Sequence, residues 1–126
     1  MMRPQPMLVV ADVEAASQWF QDVLGLESGH GGPQYEMLMD GGEMVAQIHR
    51  PEGHEHPHLG PAGRPPGGDR VVLWFATDDF DGLVARAEAV AAVVLDGPLF
   101  NPNGHQHEIW LEGPEGCLVV VAGPRS

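Results

Sequence analysis

The sequence predicts an α+β fold built from two βαβββ units, and three observations support that prediction. A short apolar strand, an acidic residue and a helical apolar stripe follow one another twice, with a shift of 67 residues from Asp12 to Asp79. Each helix is followed only by strand patterns, and a stretch rich in Pro and Gly separates the halves. The 126 residues are enough for one buried core. We therefore expect a single domain over 1–126, with module 1 at 1–50, a linker at 51–69 and module 2 at 70–126.

The first half begins with an apolar strand at residues 8–11 that ends at Asp12, a residue type that favours helix N-caps. Apolar side chains then recur at helical spacing, at Ala16, Trp19, Phe20, Val23 and Leu24. Gly25 is placed to close this helix. Residues 35–39 and 44–49 flank an Asp-Gly-Gly turn and predict a hairpin. We assign Trp19 and Phe20 to the core because they lie on the apolar stripe.

The second half repeats this plan. An apolar strand at residues 71–76 is followed by Asp78 or Asp79 as the helix cap. The helical stripe consists of Phe80, Leu83, Val84, Ala87, Val90 and Ala91. The strand candidates after the helix are residues 93–95, 107–112 and 117–121. Both halves therefore predict the order β-α-β-β-β.

The predicted linker, residues 51–69, contains ten Pro and Gly residues. Such a stretch forms no regular hydrogen-bond ladder, so we expect an exposed, mobile connector rather than a domain. His54, His56 and His58 alternate within it and would lie on one side of an extended chain. They could bind Zn²⁺ or Ni²⁺, but we favour a polar loop because a flexible segment lacks preformed ligand geometry.

Charge and composition limit the partners. Eighteen acidic residues and six basic ones give a net charge of -12. A field of that sign repels phosphate backbones and anionic lipids, so we expect neither nucleic acid nor a membrane surface as a partner. It weakly favours cationic partners, and a solvated surface is the simpler explanation of the charge.

Cysteine content and hydropathy bear on the compartment. Cys117 is the single cysteine, so it forms no internal disulfide, and its apolar surroundings predict a packed thiol. No apolar run is long enough to span a bilayer, and the first residues lack the apolar core of a signal peptide. We expect a cytoplasmic protein.

Two local motifs stand out in the sequence. The first is Val9-Val10-Ala11-Asp12-Val13 with Trp19-Phe20 and Val23-Leu24-Gly25-Leu26. The second is His107-Glu108-Ile109-Trp110-Leu111-Glu112-Gly113-Pro114-Glu115-Gly116. They are similar to the V-x-D-x, F-Y and L-G-L opening and to the R-E-F-x-x-x-D-P-D-G run of the vicinal oxygen chelate superfamily, which includes glyoxalase I, bleomycin-resistance proteins and extradiol dioxygenases. The resemblance covers nearly the whole chain outside the linker. It implies two modules whose mixed sheets curl round a cavity, commonly completed in a homodimer.

The resemblance also implies where metal ligands would lie. Enzymatic relatives hold a divalent metal with one ligand on the first strand and one on the last strand of each module. In module 1 these positions fall at Gln5 and Gln47, with His49 on the same strand face. In module 2 they fall at Val72 and Val120, which have no donor atoms. We therefore expect no metal cofactor.

These considerations predict a metal-independent protein that binds and sequesters a small natural product or antibiotic, aromatic or cationic in character. A pocket with apolar walls, aromatic faces and a few polar groups suits such a ligand. The candidate binding residues are Gln47, His49, Val72, Trp74, His105, His107, Trp110 and Val120. Trp74 shares strand parity with Val72 and is expected to face the cavity, whereas Trp110 could face either the cavity or the helix.

Two alternatives stay open, and with them the question of whether the protein is an enzyme. The first is a lyase or dioxygenase that uses Zn, Ni or Fe in a rearranged, histidine-based site. Its candidate ligands are Gln5, Gln47, His49, His107 and Glu108. One such set, His49, His105 and Glu108, has the two-His, one-carboxylate composition of Fe(II) oxygenases. The second alternative is a metal-free enzyme in which a histidine at the cavity rim is the general base. No catalytic residue is assigned.

Overall fold

A computed structural model describes residues 1, 3–51, 71–102 and 105–125. In these ranges module 1 contains β1 (Met7–Val9), α1 (Val13–Leu24), β2 (Glu27–Ser28), β3 (Tyr35–Asp40) and β4 (Glu43–His49). Module 2 contains β5 (Val72–Ala76), α2 (Phe80–Ala89), β6 (Val94–Asn101), β7 (Gln106–Glu112), a short 3₁₀ helix (Pro114–Gly116) and β8 (Leu118–Gly123). Both modules have the order β-α-β-β-β, which confirms the predicted α+β fold.

The two modules have the same sheet topology. The strand order is β1-β4-β3-β2 in one sheet and β5-β8-β7-β6 in the other. The first and last strands of each module pair in parallel, and the remaining pairs are antiparallel, so both sheets are mixed. Met7 lies opposite Gln47 in module 1, as Trp74 lies opposite Val120 in module 2. These two pairs are therefore equivalent positions of the repeat.

The ends of both helices follow from local chemistry. The Asp12 carboxylate accepts a hydrogen bond from the Ala15 N–H at 3.0 Å, and Gly25 ends α1 with a left-handed φ of 72°. Asp79, rather than Asp78, is the N-cap of α2, because its carboxylate accepts from the Gly82 N–H at 3.1 Å. The acidic residues at these positions are explained as caps.

One apolar core joins the helices to both sheets. Its largest fully buried side chains include Phe20, Phe80, Leu38, Ile48, Leu83, Ile109 and Leu111. The Phe20 ring from α1 lies 6.3 Å from the Phe75 ring on β5, so the core crosses between the modules. Arg86 on α2 adds a polar link, since its guanidinium donates to the carbonyl oxygens of Val23 and Leu24 at 3.2 and 3.4 Å. Trp19 packs against this core and is half-buried, as the helical stripe predicts.

Several strand boundaries differ from the sequence prediction. The two-residue strand β2 was not predicted, and β6 extends to Asn101 instead of ending at residue 95. Asp96, Gly97 and Pro98 interrupt the alternation of β6, and its pairing with β7 shifts register there. A pattern search of period two therefore loses the strand at that point. The linker prediction, together with His54, His56 and His58, lies almost wholly outside the described residues.

Candidate ligand-binding site

Each sheet has one face covered by the helices and one facing away from them, which we call the open face. On β5, Leu73 and Phe75 pack against the helix-covered core. Val72 and Trp74 alternate with them and therefore lie on the open face, where 38% and 52% of their surfaces are exposed. Trp74 therefore lies on the face away from the helices, and its place in a ligand cavity stays a prediction.

Two tryptophans and a valine lie side by side on the open face of module 2. Val120 on β8 lies between Trp74 on β5 and Trp110 on β7, because it is the direct partner of both. The two indole rings are 6.3 Å apart with an interplanar angle of 88°. Val120 is fully buried, although it is not part of the core cluster that the helices cover. Trp110 therefore faces away from the helices.

The Glu108 carboxylate lies beside this pair. Only 5% of the residue is exposed, and its two oxygens accept hydrogen bonds from the Trp110 indole N–H at 3.2 Å and the Asn101 amide at 2.7 Å. Asn101 and Glu108 share the open face with Trp110, as the β6–β7 register requires. The carboxylate thereby holds the Trp110 ring in one orientation.

The structure corrects the assignment of His107 to the cavity wall. His107 has the strand parity of Ile109 and Leu111, which belong to the helix-covered core. Its ring lies 6.1 Å from Phe80 on α2 and 5.2 Å from Phe100 on β6. His107 and Glu108 are adjacent in the strand and point to opposite faces, so they do not converge on one ion. Their positions on opposite faces exclude His107 and Glu108 as joint ligands of one metal ion.

His105 and Glu108 also lie in different settings. His105 is exposed in the turn before β7 and has a φ of 54°. His49 belongs to the other sheet, at the end of β4, and is buried. The proposed set of His49, His105 and Glu108 therefore draws on two sheets and a turn. Within ranges 3–51, 71–102 and 105–125, no group of three His, Cys, Asp or Glu residues is arranged to hold a metal ion.

The open face of module 1 carries Gln47 and His49. The Gln47 side-chain carbonyl accepts from the Tyr35 hydroxyl at 2.8 Å, and its amide donates to the Gln5 backbone carbonyl at 3.0 Å. Nδ1 of His49 lies 2.8 Å from the Arg50 carbonyl oxygen. A carbonyl oxygen only accepts, so Nδ1 of His49 donates this hydrogen bond.

Methionines form the rest of this face, and the sequence analysis did not single them out. Met7 and Met37 flank Gln47 on the neighbouring strands, and Met39 pairs with Met44. The alternation of Met37 and Met39 in the sequence was a usable signal, but only the strand register brings all four together. Thioethers are flexible and polarizable, so this face is an adaptable apolar surface.

Glu36 organises the segment at the edge of the module 1 sheet. Burial by itself raises the pKa of Glu36. Hydrogen bonds from the Ser17 and Ser28 hydroxyls and from the Gly31 and His30 N–H groups outweigh burial and lower the pKa to about 2. The His30 ring in turn contacts Tyr35 at 5.2 Å. The Glu36 carboxylate thus connects α1 to the loop that carries His30, whose ring packs against Tyr35.

The four positions that the family resemblance assigns to metal ligands do not fit a divalent ion. Val72 and Val120 have no donor atoms, and Val120 is enclosed by the two indoles. Gln47 engages both ends of its amide with protein groups, and Gln5 contributes its backbone carbonyl to that arrangement. We therefore derive no chemical step through a metal at these positions.

Among the described residues, two cavities lie away from the tryptophan surface. One of about 470 Å³ runs beside the start of β4 and is lined by Arg3, Pro4, Gln5, Gly42, Glu43, Met44 and Val45. Of the residues that line this cavity, Gln5 is the one that the sequence analysis names as a candidate metal ligand. The other, of about 80 Å³, lies against the helix-covered core near Leu83 and Val121.

Comparison with known proteins identifies the same architecture. The model of the glyoxalase/bleomycin resistance protein/dioxygenase superfamily matches residues 4–121. No curated protein matches the chain. In the described part of the chain, neither helix is long and apolar enough to span a membrane.

Three solved structures illustrate the likeness. A virulence protein from Salmonella typhimurium is 19% identical with a TM-score of 0.70, over 99% of this chain and 98% of that one. A lactoylglutathione lyase from Agrobacterium tumefaciens is 22% identical with a TM-score of 0.69, over 96% and 92%. TioX from Micromonospora sp. ML1 is 17% identical with a TM-score of 0.70, over 98% and 100%. At these identities the likeness shows the fold alone.

Proposed function

Because this chain belongs to the glyoxalase/bleomycin resistance protein/dioxygenase superfamily, we propose that it binds and sequesters a small, flat organic molecule without a metal ion. A natural product or an antibiotic is the class of ligand we have in mind. The observation that carries the proposal is the pair of tryptophans, Trp74 and Trp110, packed against Val120 on the open face of module 2.

The physical reason is the amount of aromatic surface left in water. Half of Trp74 is exposed on the open face of module 2, and its ring meets that of Trp110, which Glu108 holds in place. Burying an aromatic face removes apolar surface from water at roughly 25 cal/mol per Å², and ring stacking adds about 0.5–1.5 kcal/mol. A flat ligand on Trp74 gains both contributions.

The donor chemistry favours this function over a metal-dependent lyase or dioxygenase. Valines stand at Val72 and Val120, where relatives would place ligands, and His107 lies on the opposite face from Glu108.

We extend the proposal to a homodimer, in which a second copy covers exposed apolar side chains of module 2 other than Trp74. Besides Trp74, large exposed apolar side chains there include Val71, Val72, Val93, Val94, Leu95 and Phe100. Surfaces of this kind commonly mark association sites. Sedimentation equilibrium of the purified protein tests this part, and a monomer at micromolar concentration would contradict it.

A thermal-shift screen against flat aromatic antibiotics tests the binding function. A ligand at 100 times its Kd adds about 2.7 kcal/mol of stability. We expect the shift to disappear in Trp74→Leu and to persist in Phe100→Leu. Phe100 is a matched control because it is 51% exposed and lies on the opposite face of the same sheet. Absence of any shift in the wild type, or an equal shift in Trp74→Leu, would refute the proposal.

A further inference from the structure

We infer that the ligand carries a positive charge and that Glu108 selects for it. This inference rests on the proposed function, since it concerns the same open face of module 2. It adds a property that the tryptophan pair alone does not specify, namely the charge of the bound molecule.

The two indoles provide the first part of the argument. Their planes are 88° apart with centroids separated by 6.3 Å, so they present two nearly perpendicular aromatic walls. A cation within roughly 6 Å of a ring centroid is attracted by the negative face of the ring, and tryptophan is the strongest such partner. Aromatic walls of this kind recognise ammonium groups.

The Glu108 carboxylate provides the second part. It is 95% buried, and its hydrogen bonds come from two uncharged donors, Trp110 and Asn101. In the part of the chain that the structure describes, the ion pair present joins Arg125 to Asp81, and no basic side chain pairs with Glu108. A buried carboxylate is stabilised by the hydrogen bonds it accepts and further by a nearby positive charge. A ligand cation beside Trp110 supplies that charge.

The hydrogen bond between the two residues couples these effects. Because the Trp110 N–H donates to Glu108, the carboxylate polarises the indole and makes its ring face more negative. A cation on the ring is therefore attracted by the ring face and by the carboxylate at the edge of the ring. The local geometry adds to the long-range attraction expected from a chain with a net charge of -12.

A pair of dyes of the same shape separates charge from stacking. N-methylacridinium is cationic, whereas acridine is neutral at pH 8, and both are flat three-ring molecules. Their Kd values are measured by quenching of tryptophan fluorescence and by calorimetry at about 0.15 M salt, where long-range attraction is screened. We expect the wild type to bind the cation at least about tenfold more tightly, which corresponds to about 1.4 kcal/mol.

Two glutamine variants locate the effect. Glu108→Gln should bring the two Kd values to within about threefold of each other, chiefly by weakening binding of the cation. Glu112→Gln is the matched control, because Glu112 also lies two residues from Trp110 on the same face but is exposed. It removes the same net charge and should keep the tenfold preference.

The outcomes distinguish this inference from the function on which it rests. Equal binding of both dyes by the wild type overturns the role of Glu108 and leaves the binding function standing. Binding of neither dye contradicts the binding function and the inference with it. Loss of the preference in Glu112→Gln as well as in Glu108→Gln assigns it to net charge and overturns the inference. The wild-type comparison decides the question even if Glu108→Gln does not fold, which circular dichroism checks.

Discussion

Glu115 and Asp12 join the two modules although they are 103 residues apart in the chain. The Glu115 carboxylate accepts hydrogen bonds from the N–H groups of Asp12 and Ala11, both at 2.9 Å. Asp12 is also the N-cap of α1, so the turn before β8 is connected to the start of the helix in the other module.

Replacement of Glu115 by alanine should therefore destabilise the protein by about 1–2 kcal/mol, because two backbone donors lose a charged acceptor. Urea unfolding followed by tryptophan fluorescence measures the change. Glu88→Ala is the control, since Glu88 is an exposed glutamate on α2, and it should change stability by less than about 0.5 kcal/mol. Equal effects of the two substitutions would contradict a specific link.

Glu36 should make stability depend on pH in the acid range. Its pKa is lowered from 4.5 to about 2 in the folded protein. A lowered folded-state pKa means that the unfolded chain takes up the proton first, so the stabilisation is complete above about pH 4.5 and is lost as pH falls toward 2. The loss is about 3 kcal/mol by linkage.

The difference between wild type and Glu36→Gln isolates this contribution. The variant should be less stable at pH 6, and the gap between the two proteins should narrow steadily as pH falls to 2.5. Chemical denaturation at half-unit pH intervals provides the curve. A gap that stays constant with pH would show that the Glu36 carboxylate has no lowered pKa.

Cys117 should be unreactive in the native protein. Burial raises the pKa of its thiol to about 11, with smaller contributions from the charges of Glu115 and Glu112, and only the thiolate is nucleophilic. Ellman's reagent at pH 8 should react with less than about a tenth of the thiol of the folded protein within minutes. In about 6 M guanidinium, where the protein is unfolded, it should react with all of the thiol. Rapid reaction of the folded protein would refute the burial of Cys117.

Val120 and Val72 should respond differently to truncation. Val120 is fully buried between the indoles, whereas Val72 is 38% exposed on the next strand of the same face. Val120→Ala opens a space beneath the tryptophans and should lower the free energy of unfolding by about 1–3 kcal/mol. Val72→Ala should lower it by less than about 1 kcal/mol. Similar losses from both would contradict the enclosed position of Val120.

Local patterns predicted the framework because their causes are local. Asp12 and Gly25 mark the ends of α1 through hydrogen bonds and backbone angles within a few residues, and the helical stripe at Phe20 follows from the period of the helix. Strand β6 was predicted too short, since a register shift near Asp96 depends on the partner strand β7.

The candidate site also divides into features with local causes, which the sequence predicted, and features that depend on the packing of distant elements. Strand parity in the sequence was enough to place Trp74 with Val72, because side chains alternate whatever the neighbouring strand is. It did not decide which face Trp110 or His107 takes. That required the helix that covers one side of β7, where His107 meets Phe80.

By itself, the order of residues determined two βαβββ modules, the cap of α1 and the lack of donor atoms at Val72 and Val120, since these depend on local periodicity and residue type. Only the tertiary structure decided that Trp74 and Trp110 meet over Val120, that Glu108 binds the Trp110 indole, and that four methionines share one face. Contacts of this kind depend on the register between strands far apart in the chain, and a register is set by the packing of the whole sheet.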